Sequence, residues 1–275
     1  MGHASMNAGT DAIAARSASH ISRLWNLPLG DVRGEVAAIA LLIPLLLAAA
    51  LWNGFPFIYY DTGAYVFEGL GGHFVVERSP VYSLFLRFAG ARESLWLIVV
   101  IQAAATAFVM VQCAHAESPR LGIGPLLLIV ALLVVGTALP WYVGQIEPDC
   151  FTALVALTIY LLAFRARVLG RLHVIILVVI GGFAAAAHPS HLVLAGFLVL
   201  PIAAIRVLAA IARGWPKPRL LESSAVFVLG LALVVGANFH FTRQIFVSRA
   251  GTSFVFARML QDGIVMRLLD DTCPQ

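Results

Sequence analysis

Charge is what this sequence has least of. Only 12% of its 275 residues are Asp, Glu, Lys or Arg, about half the share of an ordinary soluble domain. Lysine is nearly missing: Lys217 stands alone, and arginine supplies every other side-chain cation apart from histidine. Cysteine stops at three, too few for a disulfide-built secreted scaffold. No Gly-x-Ser-x-Gly, P-loop or dinucleotide fingerprint occurs, and no His-Glu-x-x-His, so nucleophile-elbow hydrolases, P-loop nucleotide enzymes and zincin-type proteases lose their usual signatures. What is present is apolar: 61% of residues are hydrophobic and the mean hydropathy is +0.92. A soluble globule of this size could not hide that much apolar surface. The apolar residues come in long continuous runs without alternation, which predicts an all-α, polytopic transmembrane helical bundle and argues against a β-barrel. The net charge of +4 and pI near 9.3 do not point to nucleic acid, because the arginines flank apolar segments, where they act as topology signals.

Seven runs predict about seven spans: 36–52, 95–112, 125–139, 151–164, 173–187, 192–211 and 225–237. Several fall short of the ~20 residues a span usually needs. Basic residues sort between them. Arg16, Arg23 and Arg33 precede the first run. Arg120, then Arg165, Arg167 and Arg171, then Arg206, Arg213, Lys217 and Arg219 mark the alternate loops, whereas loops 140–150 and 188–191 have none. The positive-inside rule then puts the N-terminus in the cytoplasm and the C-terminus outside, an integral protein of a bacterial inner (plasma) membrane. Residues 1–35 read as a poorly ordered cytoplasmic leader; Asp11, Asp31 and Glu35 in it argue against a signal peptide cleaved after Ala48-Ala49-Ala50. Residues 36–238 form the membrane module, and 239–275 an outer-face tail with an amphipathic helix at 258–271. Gly181, Gly182 and Ala184–Ala187 give the fifth helix a small-residue packing face.

This topology sends most acids to the outer side: Asp61, Glu68, Glu77, Glu93, Glu147, Asp149, Asp262, Asp270 and Asp271, with His73, His188, His191 and His240. In one bundle the outer loop ends converge on a mouth lined by carboxylates, imidazoles and aromatics. The first outer loop, 53–94, is expected to hold interfacial helices. Asp61 stands among Tyr59, Tyr60 and Tyr65, where partial desolvation would suit a general base. Alternatively it caps a short helix over 62–70. Residues 79–88 read as an interfacial helix with Pro80 in its first turn and Tyr82 on it. Arg78, just before, either grips a phosphate bidentately or snorkels to lipid headgroups. The second outer loop carries Trp141, Glu147 and Asp149. The two acids either hold Mg2+ or Mn2+ against phosphate oxygens or complement the fourth helix's dipole. His188 and His191 either contact a ligand phosphate or form a satisfied interfacial pair. Cys150 and Cys273 both fall outside, leaving a disulfide between them open.

Taken in order, these features resemble the GT-C superfamily of membrane glycosyltransferases, similar to protein O-mannosyltransferases and lipid A aminoarabinose transferases. The resemblance rests on Tyr60-Asp61-Thr62 and Tyr65 after the first helix and on Arg78-Ser79-Pro80-Val81-Tyr82 leading a surface helix. It rests further on Glu147 and Asp149 before the fourth helix and on the outer turn His188-Pro189-Ser190. It covers 36–237 and implies the seven-helix N-terminal module of an enzyme that takes sugars from a polyprenyl-phosphate donor on the outer face. It also matches Asp61 to the family's acidic residue after the first helix. On that reading Asp61 is the catalytic base. Tyr60, Tyr65, Arg78, Tyr82, Trp141, His188 and His191 bind substrate, with Glu147 and Asp149 as metal ligands and membrane lipid as the other partner. The rival is a non-catalytic polytopic membrane protein, a transporter or an assembly subunit. A transporter would more often carry ionisable groups at mid-membrane depth, where these helices have almost none.

Overall fold

The computed structural model describes residues 25–72, 74, 78–211 and 217–273. The expectations placed on residues 1–24, His73, Glu77 and Arg213 lie outside the described residues. Among the described residues there is no strand; pairing between extended segments is limited to isolated bridges. Among the described residues thirteen α-helices of six residues or more are traced. The first apolar run becomes α1 (Val32–Leu46) and α2 (Ala48–Asn53), divided at Leu47, whose ψ of 7° is not helical. Pro44 lies inside α1 and has no N–H to donate, which weakens the turn just before the break. The first outer loop folds into α3 (Thr62–Gly71) and α4 (Pro80–Phe88). Then come α5 (Leu95–Glu117), α6 (Ile123–Gly136), the short α7 (Leu139–Gly144) and α8 (Phe151–Tyr160), the last continued by a π-helical turn over Leu161–Arg165. The chain ends with α9 (Arg171–Ala187), α10 (Pro189–Ile211), α11 (Leu220–Thr242), α12 (Gly251–Gln261) and α13 (Ile264–Thr272).

Among the described residues four stretches are long and apolar enough to cross a membrane: Leu95–Glu117, Pro148–Arg165, Pro189–Ile211 and Leu220–Thr242. At 1.5 Å per residue a 23-residue helix reaches about 34 Å, against a hydrocarbon core of ~30 Å. The helices α6 and α9 are also apolar but have 14 and 17 residues. Leu128, Leu132 and Val135 on α6, and Val193, Phe197 and Leu200 on α10, line outward stripes at helical spacing and stay exposed. Lipid tails rather than water suit such stripes. The protein is thus an all-α membrane protein.

Two helix groups build the bundle. The first packs α1 against α5 and α6; the second packs α8, α9, α10 and α11; α5 joins them by contacting α8. The expected small-residue face on α9 is where α11 comes closest: a methyl on Gly182 would fall 2.6 Å from a Leu229 methyl, and one on Gly230 would meet Ala185 Cβ at 2.8 Å. The surface helix α4 lies across α9 and α11 and also packs on α3. The leader boundary shifts. Helix α1 begins at Val32, and the chain before it is already docked, with Leu29 buried and Pro28 bridged to Gly122. In the tail, the helix expected over 258–271 divides at Gly263, where φ of +71° favours glycine and ends the helical path. Neither tail helix buries a residue. All three cysteines are free, with Cys150 buried and Cys273 exposed, so the open disulfide is not formed.

Candidate functional site

The outer loops do converge, and hydrogen bonds show how. Phe57 of the first loop exchanges backbone bonds with the second, donating to Gly144 O at 2.9 Å and accepting from Ile146 N at 2.9 Å. Ser79 Oγ donates to Ala186 O at 2.5 Å, tying the start of α4 to the end of α9. Gln102 on α5 donates to Gln145 O at 2.9 Å and accepts the Tyr82 hydroxyl at 2.8 Å. A polar side chain placed inside an apolar span must find such partners. Beneath these ties lies an aromatic floor: Tyr65 meets Tyr82 edge-on at 5.0 Å between centroids, and Phe151 meets Phe183 at 5.1 Å.

Asp61 occupies the cap position of α3, but its side chain makes no cap bond. The carboxylate instead pairs with Arg78, Oδ1 to guanidinium at 2.6 Å, and Arg78 also reaches Asp61 O at 3.4 Å. Their side chains keep 40% and 25% exposure, so the pair is open at one side. The Arg78 guanidinium lies 5.2 Å from the centre of the Tyr65 ring, a cation–π distance. Burial, the largest single influence, works against the Arg78 charge, but the hydrogen bond it donates to Asp61 and the charges of Asp61, Tyr65 and Glu68 together outweigh it, and the guanidinium pKa is raised. Burial, followed by the nearby Glu147 charge, raises the Tyr65 phenol well above its usual range. It is a neutral wall for the pair.

Glu147 is buried at 4% exposure. Burial pushes its pKa up to about 7, with Asp61 and Asp149 adding to the rise and the Thr62 hydrogen bond and Arg78 opposing it. Thr62 joins the two loops at this point. Its hydroxyl accepts from Tyr59 N at 2.8 Å and lies 2.9 Å from Ile146 O and 3.0 Å from Glu147 Oε1. One hydroxyl proton cannot serve both oxygens. With Glu147 protonated, the carboxyl donates to Thr62 and Thr62 donates to Ile146 O, and every group is satisfied. Glu68, also buried, accepts the Ser83 hydroxyl at 2.9 Å.

The histidine pair divides. His191 is buried and faces Ala184 O through Nδ1 at 3.0 Å and Thr152 Oγ1 through Nε2 at 2.7 Å. A neutral imidazole donating from Nδ1 and accepting at Nε2 satisfies both. His188 receives the Ser190 hydroxyl and amide at Nδ1, at 2.7 and 3.3 Å, which leaves the proton on Nε2. Burial lowers the His188 pKa, while Asp149 and Asp61 pull it up and Arg78 pushes it down. These charges therefore share one electrostatic neighbourhood.

Two grooves flank this cluster. One of about 620 Å3 is lined by Tyr59, Tyr60, Thr62 and Phe67. The other, about 540 Å3, is lined by Tyr142, Asp149, Thr152 and Leu194. Of the residues singled out from the sequence, Asp61, Arg78, Tyr65, Glu147 and His188 come together, and Tyr60 lines a groove. Trp141 stands exposed on α7, next to the groove residue Tyr142. Tyr82 and His191 are buried, and their polar atoms are taken up internally. The acidic pair fits a divalent ion poorly. Glu147 favours its protonated form and is bonded to Thr62, whereas Asp149 is exposed. Among the described residues no group of three or more His, Cys, Asp or Glu could hold a metal. Sequence reading missed Thr62, Ser79 Oγ and Gln102. Only Gln102 left a usable signal, as a lone amide in an apolar run. Compared with protein families, characterised proteins and solved structures, the chain has no match.

Proposed function

We propose that this chain is a membrane glycosyltransferase of GT-C type, or its N-terminal module, moving a sugar from a polyprenyl-phosphate donor to an acceptor on the outer face. In this reading seven segments span the membrane of a bacterial inner membrane, with the N-terminus cytoplasmic and the C-terminus outside. The observation that carries it is the Asp61–Arg78 pair, half-open between two grooves. In the resting pair Arg78 occupies the Asp61 carboxylate. A donor phosphate competes for the same guanidinium through bidentate hydrogen bonds. As Arg78 turns to the phosphate, the Asp61 carboxylate is released from the pair and takes the proton of an acceptor hydroxyl as that oxygen attacks the anomeric carbon. The bond from that carbon to the phosphate oxygen breaks, and Arg78, with His188 Nε2–H, stabilises the departing phosphate. The grooves offer one apolar channel for each substrate. Binding of donor thus prepares the base, and no metal is needed for that step.

The competing reading, a non-catalytic subunit, draws on Tyr82 and His191, which spend their polar atoms inside the fold. Asp61→Asn separates the two. In a transfer assay with a polyprenyl-phosphate sugar, the rate should fall by about 10²–10⁴-fold while the protein inserts and purifies normally. Full activity in Asp61→Asn would return Asp61 to a purely structural pair. The orientation has its own test: with the three native cysteines replaced by serine, Lys217→Cys should resist a membrane-impermeant thiol reagent in intact cells.

A further inference from the structure

At the end of the bundle opposite Asp61, two adjoining cavities of about 360 and 580 Å3 share Arg167, Arg219 and Glu222 as walls. Arg206 and Lys217 line the first, and Arg171 lines the second. Five cations therefore surround one carboxylate. Glu222 pairs with Arg219, and among the described residues Arg167, Arg171, Arg206 and Lys217 form no ion pair. The sequence brings these residues together from four places: the turn after α8, the start of α9, the last turns of α10 and the start of α11. Arg219 N donates to Ala163 O at 2.8 Å, so the start of α11 is fixed against the π-helical turn and the cleft is not a loose loop. Its rim is apolar and open: Leu221 is 83% exposed and Ile175 59% exposed. Each belongs to the lining of one cavity.

Like charges held together and unpaired repel one another, and an anion between them relieves that repulsion. A free anion would use the basic floor alone. The exposed leucine and isoleucine continue from the basic floor onto helix faces that suit acyl chains, and that continuity selects an amphiphile. We propose that this cleft is a binding site for an anionic glycerophospholipid. Its phosphate sits among Arg167, Arg206, Lys217 and Arg219, and its acyl chains lie along α9 and α11. Basic hollows between helices at a membrane surface are suited to such headgroups. The inference is independent of the transferase reading, since the cleft lies at the other end of the bundle.

The test uses the full chain in a neutral detergent with a fluorescent short-chain phosphatidylglycerol as probe. Phosphatidylcholine of the same chain length, glycerol phosphate and inorganic phosphate serve as competitors. Phosphatidylglycerol should bind saturably, phosphatidylcholine should fail to displace it, and the two soluble phosphates should compete only weakly. Each basic residue near a membrane surface contributes about fivefold in affinity. Arg206→Gln with Lys217→Gln should therefore weaken binding roughly 25-fold, and Arg167→Gln with Arg206→Gln by a similar factor. The first double variant changes only exposed side chains, so an unaltered melting temperature identifies loss of binding with loss of the site. Arg258→Gln, on the exposed tail helix, should bind as wild type does. Displacement by phosphatidylcholine, or unchanged affinity in both double variants, overturns the proposal. Competition by glycerol phosphate as strong as by the lipid overturns the lipid in favour of a soluble anion.

Discussion

The two ends of the bundle treat charge in opposite ways. At the Asp61 end, Glu147 is withdrawn among buried groups and bonds tie one loop to another, Glu147 to Thr62 and Ser79 to Ala186, while Asp61 pairs with Arg78 inside the first loop. At the other end the charged groups stand in the open. Glu117 meets Arg165 through two bonds of 2.7 Å and takes the Tyr160 hydroxyl at 2.6 Å, yet both charged side chains are 40% or more exposed. Closer to the core, Glu35 accepts from Gln112 at 2.8 Å and meets His173 at 2.9 Å. Good geometry is thus common to both ends, and desolvation is what separates them. A desolvated group changes its chemistry, while a solvated pair mostly orients the surface around it.

That contrast can be broken most sharply at Glu147. Its pKa of about 7 in the fold lies above the ordinary 4.5. Below pH 4.5 folded and unfolded chains are both protonated there, and the contribution to stability is fully present. As pH rises toward 7 the unfolded chain releases its proton first, so stability falls, and above 7 it levels off. The loss is on the order of 3 kcal/mol across that window. Glu147→Gln keeps a donor for Thr62 and should flatten this fall. It should match the wild type at pH 4.5 and exceed it at pH 8 in thermal unfolding. An identical pH profile for the two proteins would show that Glu147 is solvated and that the ends do not differ in this way.

A smaller effect is expected at Gly69. A methyl there would fall 2.3 Å from Ser83 O, backbone that cannot swing aside, so Gly69→Ala should cost about 2 kcal/mol by prising α3 from α4. These are the two helices that carry Asp61 and Arg78. Gly63→Ala in the same helix meets nothing within 4 Å and should be neutral or slightly stabilising. Equal melting temperatures for the two variants would count against close packing under the site. The smallest effect belongs to the other end: Glu117→Gln should cost under about 1 kcal/mol, shrinking further in high salt. A loss of several kcal/mol would mean that the pair is shielded after all.

The runs of apolar residues made the helices readable in advance, since each of the seven became helix. The break at Leu47 was harder to see, because Pro44 marks a weak turn without saying whether a helix bends or ends. Pro80 in the first turn of α4 followed from local rules, and it holds. The Asp61 side chain did not follow them: the cap rule knows only the next three residues, whereas Arg78 is 17 positions away. Burial of Tyr82 and His191 was equally hidden, because interface-depth aromatics look alike whether they face a ligand or a neighbouring helix. The division of the tail at Gly263 was legible in principle, as Asp262-Gly263 is a turn signal inside the amphipathic pattern.

The bond from Ser79 to Ala186 joins residues 107 positions apart, and that distance is also an interval of time. A ribosome adding ~5–20 residues per second needs roughly 5–20 s to go from one to the other. Through that interval the loop bearing Asp61 and Arg78 has already been made, but the end of α9 that receives Ser79 has not. The ion pair can form early from its own loop; the anchorage of α4 cannot. An arrest of synthesis between the two, or a nonsense codon there, would leave a chain whose first helices are inserted and whose reactive loop hangs unanchored, a natural mark for membrane proteases to read as unfinished.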